Sequence, residues 1–500
     1  MSVSGKICRS RDAEHGKSAS PTDGTLAAWE RTALRTFLRG SFEGAVLLAI
    51  VLLPLSATSD ARADEAPRAI TLADALAYAR AHQPAIRAGL ARVEAERANA
   101  EVPRAQWLPL VGATAQIYGA TANNTTGTYL QTSSVDIPRI GATRTVDASH
   151  ASFQPYGSTI VAGGLTQELF DFGRIAAQSA AADALVSVRK HSAEAARLDV
   201  EFNVEEAFFA VHAAKGVLKA SEDAYDRAKV HRDLAEAGVR SGLRSPIELT
   251  RAEADLERFD IGRLKARGGV ATAQTVLAAA VGSPDAALDV SGTPPVPADL
   301  PALDAAVQRA EVRDPHLLEA VATLQAQTEK SKAIGAELRP DLLFTAGLSG
   351  RAGGAPPTSG NAADASGFAP IVPNWDVGAV LSIPLFDGTI NARKRAANAL
   401  EQVRRDEIDL AKQQLVAVVR QAYVAADLAR QTLPSLQRAV TAAVANYAQA
   451  DARFKAGLGT SVELADAEAL RADAEIQVAL GVFELARARA ALGRAIAEGL

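Results

Sequence analysis

The stretch LVAVVRQAYVAADLARQTLPSLQRAVTAAVANYAQADARF, residues 415–454, decides the fold. Val419, Ala426, Leu433, Val440, Tyr447 and Phe454 recur every seven residues, and Leu415, Ala422, Ala429, Leu436, Ala443 and Ala450 stand four residues ahead of them. A seven-residue apolar interval held this long is a coiled-coil seam, and its small residues let helices approach closely. It predicts one helix over about 389–455, on the order of 100 Å long at about 1.5 Å per residue. Pro434 conflicts with it, because proline removes a helical donor and crowds the preceding turn, so a kink or interruption is expected there.

Working outward, the helix ends at AGLGTSVEL, 456–464, and a second helix follows over about 461–498. The same pattern occurs earlier. Val204, Val211, Leu218 and Tyr225 mark a long helix over about 174–237, which meets SGLRSPIEL, 241–249, and a return helix over about 246–282. Leu72, Pro84 and Pro109 recur as Leu303, Pro315 and Pro340 at an offset of 231, which falls to 216 at ELFDFG and PLFDGT and settles at 215 across the two turns. The chain is therefore a duplication, with 64–282 as first repeat, 302–500 as second and the Pro-rich 283–301 as linker.

Each repeat reads helix, two strands, long helix, turn, helix, and the segments in front of each long helix have period two. Leu342, Phe344, Ala346 and Leu348 alternate with small or polar residues, as do Trp375, Val377, Ala379, Leu381 and Ile383, and Val111, Ala113, Ala115 and Ile117. The expected strands are about 108–120, 157–170, 340–350 and 375–386, joined by long polar loops. Alternation over about ten residues suits a membrane β-barrel. Four strands cannot close one, and an open edge in lipid leaves backbone groups unpaired, so further copies must complete it. Two copies or three would both give an even barrel.

The apolar run GAVLLAIVLLPLSA, 44–57, follows Arg31, Arg35 and Arg39 and precedes Ala61-Arg62-Ala63, which predicts an export leader over 1–63. The only cysteine, Cys8, lies in that leader, which excludes a disulfide framework. Across 500 residues, 53 Lys+Arg against 58 Asp+Glu give a net charge of -5, which offers no field for nucleic acid. The low aromatic share of 5% fits thin helical packing better than thick globular cores. The histidines lack metal-ligand spacing, AGLGTS lacks the lysine of a phosphate-binding loop, and no nucleophile has a partner. No cofactor, metal or enzymatic activity is expected.

The element order, the duplication, the LFDFG and LFDG junctions, and the two turns together resemble the outer membrane factor family of TolC-like channels. The resemblance covers about 70–498. It implies an α+β membrane protein in which long antiparallel helices form a coiled-coil barrel. Four transmembrane strands per chain would complete a twelve-stranded β-barrel in a homotrimer. It further implies an outer-membrane exit duct reaching into the periplasm, with an inner-membrane pump and a periplasmic adaptor as partners and outer membrane lipid as surroundings. The competing reading is a soluble periplasmic coiled-coil structural or adaptor protein, which leaves the paired alternating segments unexplained.

The turns read physically as helix corners. Gly242 and Gly457 end the incoming helices, and Ser245-Pro246-Ile247-Glu248 and Thr460-Ser461-Val462-Glu463 have capping-box form. The resemblance makes Gly242, Leu243, Ser245, Gly457, Leu458 and Thr460 adaptor-docking tips, and Glu463, Asp466 and Glu248 an acidic constriction. Capping is the main role expected for Glu463, whereas Asp466 is left for the ring. Phe454 and Gly459 stand where some members carry a Tyr and an Arg that hold the mouth shut, so that network is absent or built otherwise. An ion pair between Arg251 and Asp466 is one conceivable substitute.

Overall fold

The computed structural model describes residues 68–121, 155–292, 299–353 and 372–498. The leader, nearly all of both polar loops, the middle of the linker and the last two residues lie outside the described residues. The first long helix, α3, spans Arg174–Arg240, and the second, α7, spans Gly388–Lys455. Their return helices are α4, Pro246–Val281, and α8, Ser461–Ala495.

All twelve seam positions named above for α7 are buried or half-buried, with Val419 and Ala426 at 0% exposure. The helix is not interrupted at Pro434. Pro434 and Arg430, whose carbonyl loses its helical donor, are both exposed, so water can take the vacated bond. Close approach is real: a Cβ added at Gly481 of α8 would lie 2.5 Å from Leu436 Cδ1 of α7.

Each single helix expected ahead of the strands is in fact two. The breaks separate α1, Leu72–His82, from α2, Pro84–Ala105, and α5, Leu303–Arg313, from α6, Pro315–Ala336. Gln83 and Asp314 are extended because a residue before proline is pushed out of the helical region. The linker also contains structure. Within it β4, Leu288–Val290, pairs in parallel with β1, Arg68–Ile70, tying the start of the first repeat to the linker that follows it.

The four longer strands are β2, Leu110–Thr121, β3, Pro155–Phe170, β5, Asp341–Gly353, and β6, Val372–Ser382. They form one antiparallel sheet in the order β2-β3-β5-β6, so the repeats join at β3 and β5. The register places Leu342, Phe344, Ala346 and Leu348 opposite Leu381, Ala379, Val377 and Trp375. Ala346 in turn faces Leu165, which faces Val111. Opposed residues project to the same side, so the apolar rows of the separate strands merge into one continuous face. Trp375 is 77% exposed on it. No described helix is long and apolar enough to cross a membrane.

The helices follow the same order as the strands. The α3 helix packs on α4 and α8, and α8 on α7; above, α3 packs on α2 and α6, and α6 on α7. One edge of the chain is therefore β2 with α2 and α4, and the other is β6 with α7. Both edges are unfinished. Exposed Val403, Leu410, Ala417 and Val424 repeat every seven residues along α7, and exposed Ala88, Ala91, Ala95, Ala98 and Val102 line α2 at alternating steps of three and four. These are two half-seams, each without its partner helix. Because β2 and β6 run in opposite directions, β6 of one copy can pair antiparallel with β2 of the next.

Candidate functional site

The two hairpin tips are built by the same backbone device. Gly242 has φ +72° and Gly457 φ +75°, a left-handed conformation in which a Cβ is strained. Gly242 N–H donates to Val239 O and Leu243 N–H to Gly238 O; Gly457 N–H donates to Phe454 O and Leu458 N–H to Arg453 O. Both are Schellman-type endings that satisfy the last helical carbonyls. Leu243 and Leu458 stand out from them at 84% and 76% exposure.

The entries to the return helices differ, which corrects the capping-box expectation. Thr460 Oγ1 accepts from Glu463 N–H at 3.2 Å. Ser245 makes no side-chain cap; Glu248 N–H bonds Ser245 O, and the Glu248 carboxylate pairs with Arg244 at 2.9 Å. Glu248 thus shares its surroundings with a cation. The Glu463 carboxylate makes no cap either: it and Asp466 are exposed and have no ion pair or hydrogen bond through their side chains among the described residues. Arg251 does not pair with Asp466 within the described chain.

The residue that sequence reasoning missed is Arg244. Its guanidinium lies 3.7 Å from the Phe454 ring centroid and donates to Phe454 O at 3.1 Å, so one side chain ties the first hairpin to the second. Phe454 is 3% exposed beneath it. Arg244 also lies across Gly238, where a Cβ would come within 2.6 Å of its Cδ. The signal was present: Arg244 and Gly459 are the same position of the repeat, 215 residues apart. The arginine lacking from the second turn stands in the first.

Above this link lies a buried polar network joining α3, α7 and α8. Arg227 Nε donates to both oxygens of Glu468, at 2.8 and 2.9 Å, and Glu468 is 2% exposed. Arg471 pairs with Glu475, and both Arg227 and Arg471 lie against the Tyr447 ring. His231 Nε2 meets Tyr447 Oη at 2.9 Å. Burial pushes the Glu468 carboxyl up, with Arg227 opposing, and burial with the nearby Glu468 charge pushes Tyr447 up to about 12. Burial pushes His231 down. Tyr447 is therefore a neutral seam residue whose hydroxyl has a partner.

The sequence model of the family described as "Outer membrane efflux protein" matches residues 75–283 and 306–498. The chain belongs to that family. Protein CyaE of Bordetella pertussis (strain Tohama I) is 26% identical over 404 residues, which cover 80% of this chain and 78% of CyaE. Fusaric acid resistance protein FusA of Burkholderia cepacia is 28% identical over 210 residues, 41% of this chain and 38% of FusA. Among solved structures, the outer-membrane channel OprN superposes with a TM-score of 0.66 at 21% identity, covering 86% of this chain and 90% of that one. The fold is accordingly that of these channels, with long helices and one four-stranded antiparallel sheet per chain. The protein is an outer-membrane efflux channel.

Proposed function

We propose that this channel is the exit duct of a tripartite efflux or type I secretion system, taking cargo from an inner-membrane pump through a periplasmic adaptor. The observation that carries the reading is the pair of matching tips. Gly242, Leu243 and Ser245, with Gly457, Leu458 and Thr460, put two exposed leucines at the far end of the helices from the sheet. Exposed apolar side chains on a rigid corner suit docking of a partner helix hairpin.

Glu463 and Asp466 line the narrowest passage in this reading. They lie one turn apart near the start of α8, make no ion pair among the described residues, and in a trimer gather about its axis. Such a ring attracts cations and impedes anions. Glu248 contributes less, because Arg244 offsets its charge. In single-channel recordings, Glu463→Gln with Asp466→Asn should lower cation over anion selectivity severalfold. Unchanged selectivity would remove the acidic constriction.

A further inference from the structure

The head of α7 carries a feature that export through the duct does not use. The sequence Leu385-Phe386-Asp387 lies between the end of β6 and α7, and Asp387 caps α7 by accepting from Thr389 and Ile390 N–H at 2.7 and 3.1 Å. Two turns on comes Arg393-Lys394-Arg395. Arg393 is engaged by both oxygens of Glu337 at 2.8 Å. Lys394 and Arg395 are exposed and have no acidic partner among the described residues. They line a groove of about 490 Å³ with Phe386, Gly388, Asn391 and Asn398. Directly above it Leu385 is 95% exposed, Phe386 84% and Leu381 59%.

The groove opens on the outer side of the wall. Steps of seven preserve a residue's relation to the seam, and from Arg395 they lead to Tyr423 and Arg430. Tyr423 packs into the cluster that holds Ala306 and Ala310 of α5, and Arg430 lies within electrostatic reach of Asp299. A helix laid on the inner surface of the duct would obstruct it, so α5 and this side of α7 face outward. Lys394 and Arg395 lie roughly 10 Å along the helix from its start, within reach of the headgroup layer for long side chains that extend toward the interface.

The geometry points to a binding site for the phosphate of an anionic phospholipid from the periplasmic leaflet of the outer membrane. The two free cations take the phosphate, and Phe386, Leu385 and Leu381 lie along the acyl chains. An amphipathic ligand of that kind matches a basic groove placed immediately beneath bare apolar side chains better than a soluble anion does. The first repeat offers no such site. Its matching positions are Gln178, Ser179 and Ala180, with Asp183 opposite Asn398, and Asp183 is held by Arg104. The inference rests on the outer-membrane reading of the sheet.

The test is native mass spectrometry of the detergent-extracted, delipidated protein titrated with phosphatidylglycerol, phosphatidylcholine or inorganic phosphate. Phosphatidylglycerol should saturate at about three per trimer, and Lys394→Gln with Arg395→Gln should weaken it at least tenfold while the trimer mass is kept. Phe386→Ala should weaken phosphatidylglycerol severalfold. Equal binding of phosphatidylcholine would overturn the site, and so would inorganic phosphate competing away phosphatidylglycerol with an affinity that Phe386→Ala leaves unchanged. Arg395→Gln alone guards against misfolding of the double variant. If either variant falls to monomers without lipid, the groove is a contact between copies and the proposal fails. Recovery of the wild-type protein without detergent would instead fail the channel reading itself.

Discussion

The two repeats share their order of elements and their hairpin corners, yet they hold unlike places in the chain. Along the row α4, α3, α8, α7, the long helix of the first repeat is interior and that of the second is at the edge; for the return helices it is the reverse. Side chains follow place rather than ancestry. Glu205 of α3 is buried, whereas Arg420, its counterpart 215 residues on, is exposed. Glu468 of α8 is buried, whereas Glu253 of α4 is exposed. Duplication supplied the elements, and position in the row decided which charges were enclosed.

The sharpest way to break that comparison is to remove each glutamate of the second pair. Glu468→Ala strands Arg227 without its buried partner and should cost about 3–5 kcal/mol in urea unfolding of the detergent-held protein. Glu253→Ala, at an exposed site, should cost no more than about 0.5 kcal/mol. Equal losses would end the distinction between interior and edge.

A smaller effect is expected from Glu205, pushed up to about 7 by burial and by the charge of Glu201, with Arg80 opposing. Between the ordinary glutamate value of 4.5 and about 7 the folded chain binds more protons than the unfolded one. Its contribution is therefore full below that window and is lost as pH rises through it, on the order of 2 kcal/mol. Glu205→Gln should flatten the fall in stability over this range, and Arg420→Gln should not. A wild-type profile already flat there would contradict the assignment.

Arg244→Gly makes the first tip resemble the second. Losing the contact with Phe454 and its two hydrogen-bonded partners should cost about 1–2 kcal/mol. Because this side chain joins the hairpins, resting conductance should also rise. Conductance at the wild-type level would mean that the link stabilises the tips without restraining the mouth.

Much of this was readable in the sequence. The seam was, because a coiled coil repeats one requirement many times and a chance match cannot persist. The sheet's apolar face was readable strand by strand, although only the register shows that Val111, Leu165, Ala346 and Val377 share it. Pro84 and Pro315 marked the repeat plainly, and their second message, a helix break, follows from the same ring. Arg244 and Glu468 were harder, since their roles depend on which helices become neighbours. Ser245 and Thr460 have the same capping form, and only one caps; the arginine that diverts Glu248 is a side-chain competition that a motif does not record.

Strand direction carries one last consequence. Since β2 and β6 are different edges, each copy gives one edge and receives another, and no copy can complete itself. A ring built this way is only as sound as its weakest member. In a cell making equal amounts of normal and edge-defective chains that mix freely, roughly one ring in eight would be wholly normal. A single impaired gene copy could then act as a poison rather than as a mere shortage.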